Sequence, residues 1–179
     1  MHYCLALFTE KLPSKEEIAN IMKKYSNEEN IQYPQFTYDW YEIGGRYSGQ
    51  IKLKVDVDNK YYRWIYIDRD GRNGRLFWSH LLNNLENFSK KSFMYKEEDY
   101  YSAMGYRDGF LYVDGAKMSD IINIEEIGCF SFIGSNGEAY SREWWNGSDF
   151  QKNEDFEERF KAEIDKSMDM FLTIIDYHD

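Results

Sequence analysis

A chain of 179 residues with 16 Tyr and 12 Phe can bury a full hydrophobic core, which argues against a disordered polypeptide. Its 32 acidic residues against 22 basic ones give a formal net charge of -10, which disfavours binding to nucleic acid or to anionic membranes. No apolar run reaches the roughly 18 residues of a membrane span and no basic targeting segment opens the sequence, so we expect a cytoplasmic protein with one domain over residues 1–179.

The first predicted elements are a buried strand and a capped helix. Residues 2–9 are almost continuously apolar, which is typical of a central strand. Ser14 and Glu17 then form a capping box at the start of an amphipathic helix, which is predicted over residues 14–26.

The middle of the chain predicts a hairpin, a basic turn and a second helix. Residues 50–57 alternate between polar and apolar and are expected to pair in a hairpin with residues 61–68. Residues 69–75 are basic and glycine-rich, but their spacing matches no phosphate-binding pattern, so we favour a solvated turn over an anion-binding nest. An apolar stripe predicts a helix over residues 76–91, and His80 beside it is expected to be packed or solvated and not a ligand.

The remaining segments continue this alternation of strands and helices. In order, they predict a short helix over residues 97–104, a strand over 110–113, a hairpin of 127–133 with 138–141, a helix over 153–168 and a strand over 171–178. The whole pattern is typical of an α+β domain in which two to four helices pack on a mainly antiparallel β-sheet. Cys4 and Cys129 lie in apolar runs, so we expect two buried free thiols.

The two apolar end strands carry the candidate proton-transfer residues. These strands are expected to be central neighbours in the sheet, because fully buried strands lose the polar alternation. Asp176 and His178 lie two apart and so share one face, where they form either a catalytic base with its orienter or, as we favour, bonds to the nearby backbone. A metal site that also included His2 needs an unusual strand register, so we predict neither a metal nor a cofactor.

A glycine turn ahead of residue 50 holds the candidate ligand-binding residues. Gly44 and Gly45 permit positive φ and close backbone approach, and the guanidinium fork of Arg46 follows at once. Asp39 and Glu42 are close enough in sequence to hold that fork in one pose. We therefore expect Arg46 to be at least half buried and bonded to one of these carboxylates. The alternative is a plain turn with a surface arginine.

Residues 39–49 read Asp-Trp-Tyr-Glu-Ile-Gly-Gly-Arg-Tyr-Ser-Gly. They resemble the signature of an uncharacterised family of small proteins from Gram-positive bacteria, their phages and mobile elements, whose core reads Asp-Trp-(Tyr/Trp)-x-Ile-Gly-Gly-Arg-Trp-x-Gly. The resemblance extends to residues 114–117, to the Trp-Trp pair at 144–145 and to the Asp-Tyr-His end at 176–178. Two positions depart from the family pattern. Tyr47 replaces the Trp that usually follows the Arg of the core motif, and Tyr177 replaces the Cys of the Asp-Cys-His end. The resemblance implies a shared fold and a pocket around Arg46, without an assigned chemistry.

Two classes of function fit these features. In the first, which we favour, the chain is an inhibitor whose acidic, Tyr- and Trp-rich surface docks on a basic host protein that handles nucleic acid, with no direct contact to nucleic acid. The family's occurrence in phages and mobile elements implies counter-defence work, such as inhibition of a CRISPR effector. The candidate partner-binding residues are Glu97, Glu98, Asp99, Tyr100, Tyr101, Trp144 and Trp145.

In the second class, the chain is a hydrolase or a protein that binds a small molecule or nucleotide. Arg46 then binds an anion while Asp39, Asp176 or His178 transfers a proton. The sequence has no nucleophile motif, no metal-ligand cluster and no Walker-type loop, so a non-enzymatic function is favoured.

Overall fold

The computed structural model describes residues 1–27, 35–54, 64–67, 75–78, 103–107 and 110–179. Within these residues the fold combines two α-helices with thirteen β-strands. The helices are α1 (Lys15–Met22) and α2 (Phe156–Lys166). The strands are β1 (His2–Thr9), β2 (Trp40–Ile43), β3 (Ile51–Lys54), β4 (Trp64–Ile67), β5 (Arg75–Trp78), β6 (Ala103–Arg107), β7 (Phe110–Val113), β8 (Gly115–Lys117), β9 (Ser131–Ile133), β10 (Ala139–Ser141), β11 (Glu143–Trp145), β12 (Phe150–Lys152) and β13 (Phe171–His178).

The largest sheet is mixed and mainly antiparallel. Its strand order is β10-β9-β1-β13-β2, and β8 pairs with the first residues of β13 while β2 pairs with the last ones. β1 runs parallel to β9, and the other pairings in this sheet are antiparallel. The described part of the chain thus agrees with an α+β fold in which two helices accompany a mainly antiparallel sheet.

β1 and β13 are neighbours inside this sheet, as predicted. They pair antiparallel and without offset over all eight residues of each strand, so that His2 lies opposite His178. Residues 4–8 of β1 and 172–177 of β13 are all buried. Because successive side chains on a strand point to opposite faces, both faces of both strands are covered.

The strand pairing predicted for the middle of the chain is wrong. β3 pairs with β7, in a three-stranded sheet of order β3-β7-β6, and not with residues 61–68. β4, which lies in that range, pairs with β5 in a separate two-stranded sheet. Turn signals favour neighbours in the sequence, whereas the β3–β7 pairing joins segments more than fifty residues apart.

Two predicted helices also begin or end as strands. β5 occupies the start of the helix predicted over residues 76–91, and β6 takes the last two residues of the helix predicted over 97–104. A short apolar run such as Leu-Phe-Trp in β5 fits a strand as well as a helix, and pairing with β4 decides between them. The rest of both predicted helices, His80 and the basic turn before Arg75 lie outside the described residues.

The capping box predicted at Ser14 is confirmed at the start of α1. Ser14 Oγ accepts a hydrogen bond from Glu17 N at 3.2 Å, and the Glu17 carboxylate accepts one from Ser14 N at 2.8 Å. Ile18 and Met22 form the buried face of α1, which continues into a 3₁₀ turn at Lys23–Tyr25. Local sequence signals were sufficient for this helix because both capping partners lie within one turn.

α2 covers the hairpin of β9 and β10, which is also confirmed. Phe156 and Phe160 both pack against Phe132 of β9, with ring centroids 5.6 Å apart. The buried carboxylate of Glu163 accepts a hydrogen bond of 2.7 Å from Ser135 N, in the turn of the hairpin. No helix in the described part of the chain is long and apolar enough to cross a membrane.

Cys4 and Cys129 are buried free thiols, as predicted. Burial, together with the nearby charge of Asp176, raises the pKa of the Cys4 thiol to about 12, and burial raises the pKa of Cys129 well above its ordinary value. Because the thiolate is the reactive species, we expect neither thiol to react with a disulfide reagent at about pH 8 in the native protein, and both to react in guanidinium. A thiol count by Ellman's reagent measures this, and rapid labelling of the native protein would contradict the burial of the thiol that reacts.

Candidate functional site

The pairing of β1 with β13 joins a histidine to a carboxylate from the other end of the chain. His2 Nδ1 lies 2.9 and 3.1 Å from the two carboxylate oxygens of Asp176. Asp176 is 1% exposed, whereas the His2 ring is partly exposed. The carboxylate therefore fixes the orientation of the ring, and the neutral imidazole carries its proton on Nδ1 and a lone pair on Nε2.

A second pair of histidine and carboxylate lies beside the first. His178 Nδ1 lies 2.9 Å from Asp39 Oδ1, and the hydrogen bond from His178 lowers the pKa of Asp39. The rings of His2 and His178 meet edge to face, with centroids 5.2 Å apart. Trp40 of β2 stacks on the His178 ring at 5.8 Å and meets His2 edge-on at 5.2 Å. We call His2 and His178 the histidine pair.

The roles predicted for these residues need correction. Asp176 and His178 do share a strand face, but Asp176 orients His2, and His178 has Asp39 as its own carboxylate. The register considered unusual for the end strands is the observed one, because β1 and β13 pair without offset and place His2 opposite His178. The sequence alone does not place His2 in the site, because the register of two distant strands depends on packing along their whole length. The equal eight-residue length of the two apolar strands is the signal that favours this register.

The glycine turn, residues 44–49, wraps around two buried carboxylates, of which Asp114 is the first. Gly44 has a φ of 71°, and a Cβ atom there would lie 2.3 Å from Oδ2 of Asp114. Ser48 Oγ donates a hydrogen bond of 3.0 Å to the same oxygen, and Gly49 N donates one of 2.6 Å to Oδ1. Only glycine allows the backbone to come this close to the Asp114 carboxylate, so the contact between the turn and Asp114 requires a glycine at position 44.

The second carboxylate in the glycine turn is that of Asp176. Gly45 has a φ of 52°, and a Cβ atom there would lie 2.4 Å from Cβ of Asp176. The backbone N–H of Arg46 donates a hydrogen bond of 2.9 Å to Asp176 Oδ2. The positive φ predicted for both glycines is confirmed, and Asp176 is held jointly by the turn and by His2.

Arg46 takes part in this arrangement through its backbone alone. Its side chain is exposed, and within the described residues the guanidinium forms no ion pair. The predicted bond from Arg46 to Asp39 or Glu42 is therefore wrong, because the 3₁₀ turn at Gly45–Tyr47 directs the N–H inward instead. Glu42 borders a separate cleft of about 220 Å³, and the other described residues in its lining are Lys15, Tyr41 and Ile43.

A larger aromatic cleft, of about 740 Å³, lies on the face of the main sheet opposite to the histidine pair. Tyr3 and Tyr177 line it, and each is the strand neighbour of a residue in the His2–Asp176 pair, so their side chains point the opposite way. The hairpin of β11 and β12 forms its outer wall. The aromatic lining consists of Tyr3, Phe36, Phe130, Trp144, Trp145, Phe150 and Tyr177.

The outer wall of the aromatic cleft carries two of the predicted partner-binding residues. Trp144 and Trp145 both line the cleft, and Trp145 is 46% exposed. Trp145 contacts Phe150, which is 67% exposed, edge to face at 5.1 Å. Glu143 and Asp179 are the charged residues of the described lining, which contains no Lys or Arg. The cleft is therefore apolar and open, with a negative rim.

The inner wall of the aromatic cleft is fixed by buried hydrogen bonds. The Tyr177 hydroxyl lies 2.7 Å from Ser131 Oγ, which in turn lies 2.8 Å from Ser141 Oγ. Burial raises the pKa of Tyr177 well above its ordinary value, so the hydroxyl stays protonated. Phe36 packs against the Tyr177 ring with centroids 5.0 Å apart. These contacts fix the position of the Tyr177 side chain in the wall.

The other predicted partner-binding residues cannot be placed. Glu97, Glu98, Asp99, Tyr100 and Tyr101 lie outside the described residues. In the described ranges, no group of three or more His, Cys, Asp or Glu side chains is arranged to hold a metal ion.

Comparisons with known proteins assign no family to the chain. A scan against models of protein families finds no match, and searches of curated proteins and of solved structures find no significant match. The resemblance of residues 39–49 to a phage-associated family therefore stays a prediction.

Proposed function

We propose that the chain is a protein-binding module whose aromatic cleft takes a basic segment of a partner protein. The observation that carries the proposal is the lining of the cleft, with seven aromatic residues, two carboxylates and no basic residue in its described part. Lys and Arg bind over aromatic faces by cation–π attraction and pair with carboxylates at the rim. The net charge of -10 favours the encounter with a basic partner.

The shape of the cleft favours a protein segment over a small molecule. Small-molecule sites are concave and bury most of the ligand surface. Here Trp145 and Phe150 stand on a two-stranded hairpin and remain largely exposed. Aromatic side chains are typical of interface hot spots, where Trp and Tyr are enriched.

The class of partner rests on the sequence resemblance and on charge. A host protein that handles nucleic acid presents a positively charged groove, as CRISPR effectors do. An acidic chain that occupies such a groove blocks the nucleic acid by competition. In this proposal the chain is a stoichiometric inhibitor of a basic host protein, with a CRISPR effector as the first candidate.

Replacing Trp145 with alanine is expected to weaken partner binding roughly 30-fold, the effect of losing one hot-spot aromatic side chain. Binding is measured by fluorescence anisotropy against short peptides of graded Lys and Arg content, and against purified CRISPR effectors. Trp40→Ala is the matched control, because Trp40 is 42% exposed but lies away from the cleft lining. We expect the control to bind like the unmodified protein.

Two outcomes would contradict the proposed function. Equal binding of basic and acidic peptides would remove the charge argument. If Trp145→Ala left binding unchanged and Trp40→Ala weakened it roughly 30-fold, the interface would lie on the histidine face of the sheet.

The hydrolase alternative stays a prediction, and the described geometry changes its residues. With Asp176 bonded to His2 and Asp39 bonded to His178, the groups placed to accept a proton are the Nε2 atoms of the two histidines. The aromatic cleft and the histidine pair lie on opposite faces of the sheet, so binding at one does not exclude chemistry at the other.

A further inference from the structure

We infer that the histidine pair is a binding site for a divalent transition-metal ion of the kind that imidazole prefers, such as Zn²⁺ or Ni²⁺. The inference rests on the geometry of His2 and His178 and is independent of the function proposed for the aromatic cleft. It departs from the sequence-based prediction of no metal, which relied on the wrong strand register.

The two rings are positioned as cross-strand neighbours at the end of the sheet. His2 and His178 are direct partners in the antiparallel pairing of β1 with β13. Such partners have Cβ atoms only about 4.5–5.5 Å apart, on the same face. Both rings are partly exposed, with the side chain of His178 at 34%, so an ion can reach them from solvent.

Each ring is also held in the tautomer that a metal requires. Nδ1 of His2 is bonded to Asp176 and Nδ1 of His178 to Asp39. A neutral imidazole that donates an Nδ1–H hydrogen bond to a carboxylate presents the Nε2 lone pair, and metal-ligating histidines almost always have such a partner. Each of the two adjacent histidines thus has its own carboxylate partner, which is the arrangement of ligating histidines in metal sites.

The separation of the rings fits one shared ion. Zn²⁺ lies about 2.0–2.1 Å from an imidazole nitrogen and prefers tetrahedral angles, which places the centroids of two ligating rings roughly 5 Å apart. The observed distance between the centroids is 5.2 Å. The observed separation thus agrees with two rings that share one ion.

The remaining coordination positions are open in the described part of the chain. Since no third His, Cys, Asp or Glu ligand is arranged beside the pair, water or an external ligand completes the coordination. The nitrogen of Met1 lies 3.2 Å from His178 Nε2, and an ion bound there replaces this contact. A site with two protein ligands binds its ion more weakly than a closed structural zinc site.

The test is a titration of untagged protein with Zn²⁺. Binding is measured by isothermal titration calorimetry, and stability by thermal unfolding. We expect one ion per chain, and a rise in Tm of about 5–10 °C at a free Zn²⁺ concentration near 100 times Kd. The rise should disappear when a chelator is added. His2→Gln and His178→Gln should each abolish both signals.

His80 supplies the matched control, because the chain has three histidines and His80 is the one outside the pair. His80→Gln should bind Zn²⁺ like the unmodified protein. Asp39→Asn, at an exposed position, should weaken binding 10- to 100-fold, as expected for the loss of a carboxylate that orients a ligating histidine. This second variant reports on the site even if His2→Gln disturbs the packing around Asp176.

Absence of saturable binding up to millimolar Zn²⁺ would overturn the inference. So would loss of binding in His80→Gln with retention in His178→Gln. An Asp39→Asn protein that binds as tightly as the unmodified one, while His178→Gln does not bind, would overturn the part assigned to the carboxylates.

Discussion

Replacing Gly45 with alanine is expected to lower the free energy of unfolding by about 2–5 kcal/mol. A left-handed φ such as the 52° of Gly45 costs an L-residue about 1–2 kcal/mol, and overpacking adds about 1–3 kcal/mol. The overpacking is severe because the new Cβ would lie 2.4 Å from Cβ of Asp176, an atom attached directly to the backbone of a buried strand. Neither partner can swing aside. Urea unfolding followed by circular dichroism measures the effect.

Gly137 offers a matched control for this substitution. Its φ of 77° is as unfavourable for alanine as that of Gly45, but a Cβ atom there would meet no atom of the described residues within 4 Å. Gly137→Ala should therefore cost only about 1–2 kcal/mol, the strain without the collision. Equal losses at the two positions would mean that the close approach of the glycine turn to Asp176 does not restrict the fold.

The elements that the sequence predicted correctly are those whose causes are local. The capping box of Ser14 and Glu17 acts within one helical turn, and the hairpin of β9 and β10 is set by its own turn residues. The end strands were recognisable because every residue in their middle is buried, which removes the polar alternation. These signals need no knowledge of the rest of the fold.

Pairing between distant segments was beyond these signals. β3 pairs with β7 and not with its neighbour in sequence, and β5 is a strand because β4 lies beside it. Periodicity describes which face of a segment is apolar, but several partners can cover the same face. The choice among them is made by packing over the whole domain, which a single sequence does not display.

In the candidate site, too, the local features were predictable from the sequence and the contacts between distant residues were not. The glycine turn was identified by its composition, yet the carboxylates that it binds, Asp114 and Asp176, lie 65 and 130 residues away in the chain. Arg46 looked like the functional group because its side chain carries charge. Its contribution is the backbone N–H, which every non-proline residue possesses and which no motif can reveal.

Replacing Asp176 with alanine is expected to lower the free energy of unfolding by about 2–6 kcal/mol, because two hydrogen-bond donors lose their acceptor. The buried carboxylate accepts from the Arg46 N–H at 2.9 Å and from His2 Nδ1 at 2.9 Å, and both of these donors lie in a partly buried place. The same change should release the His2 ring and abolish Zn²⁺ binding. Urea unfolding and the zinc titration measure the two effects on one variant.

Arg46→Ala separates the backbone role of the turn from any role of the guanidinium. The substitution keeps the N–H that donates to Asp176 and removes only an exposed side chain, so we expect a change within about 0.5 kcal/mol. Were the loss instead as large as that of Asp176→Ala, the charge of Arg46 would be the stabilising element, and the anion pocket predicted from the sequence would return. A small loss at Arg46 beside a large one at Asp176 assigns the glycine turn to the support of the His2–Asp176 pair.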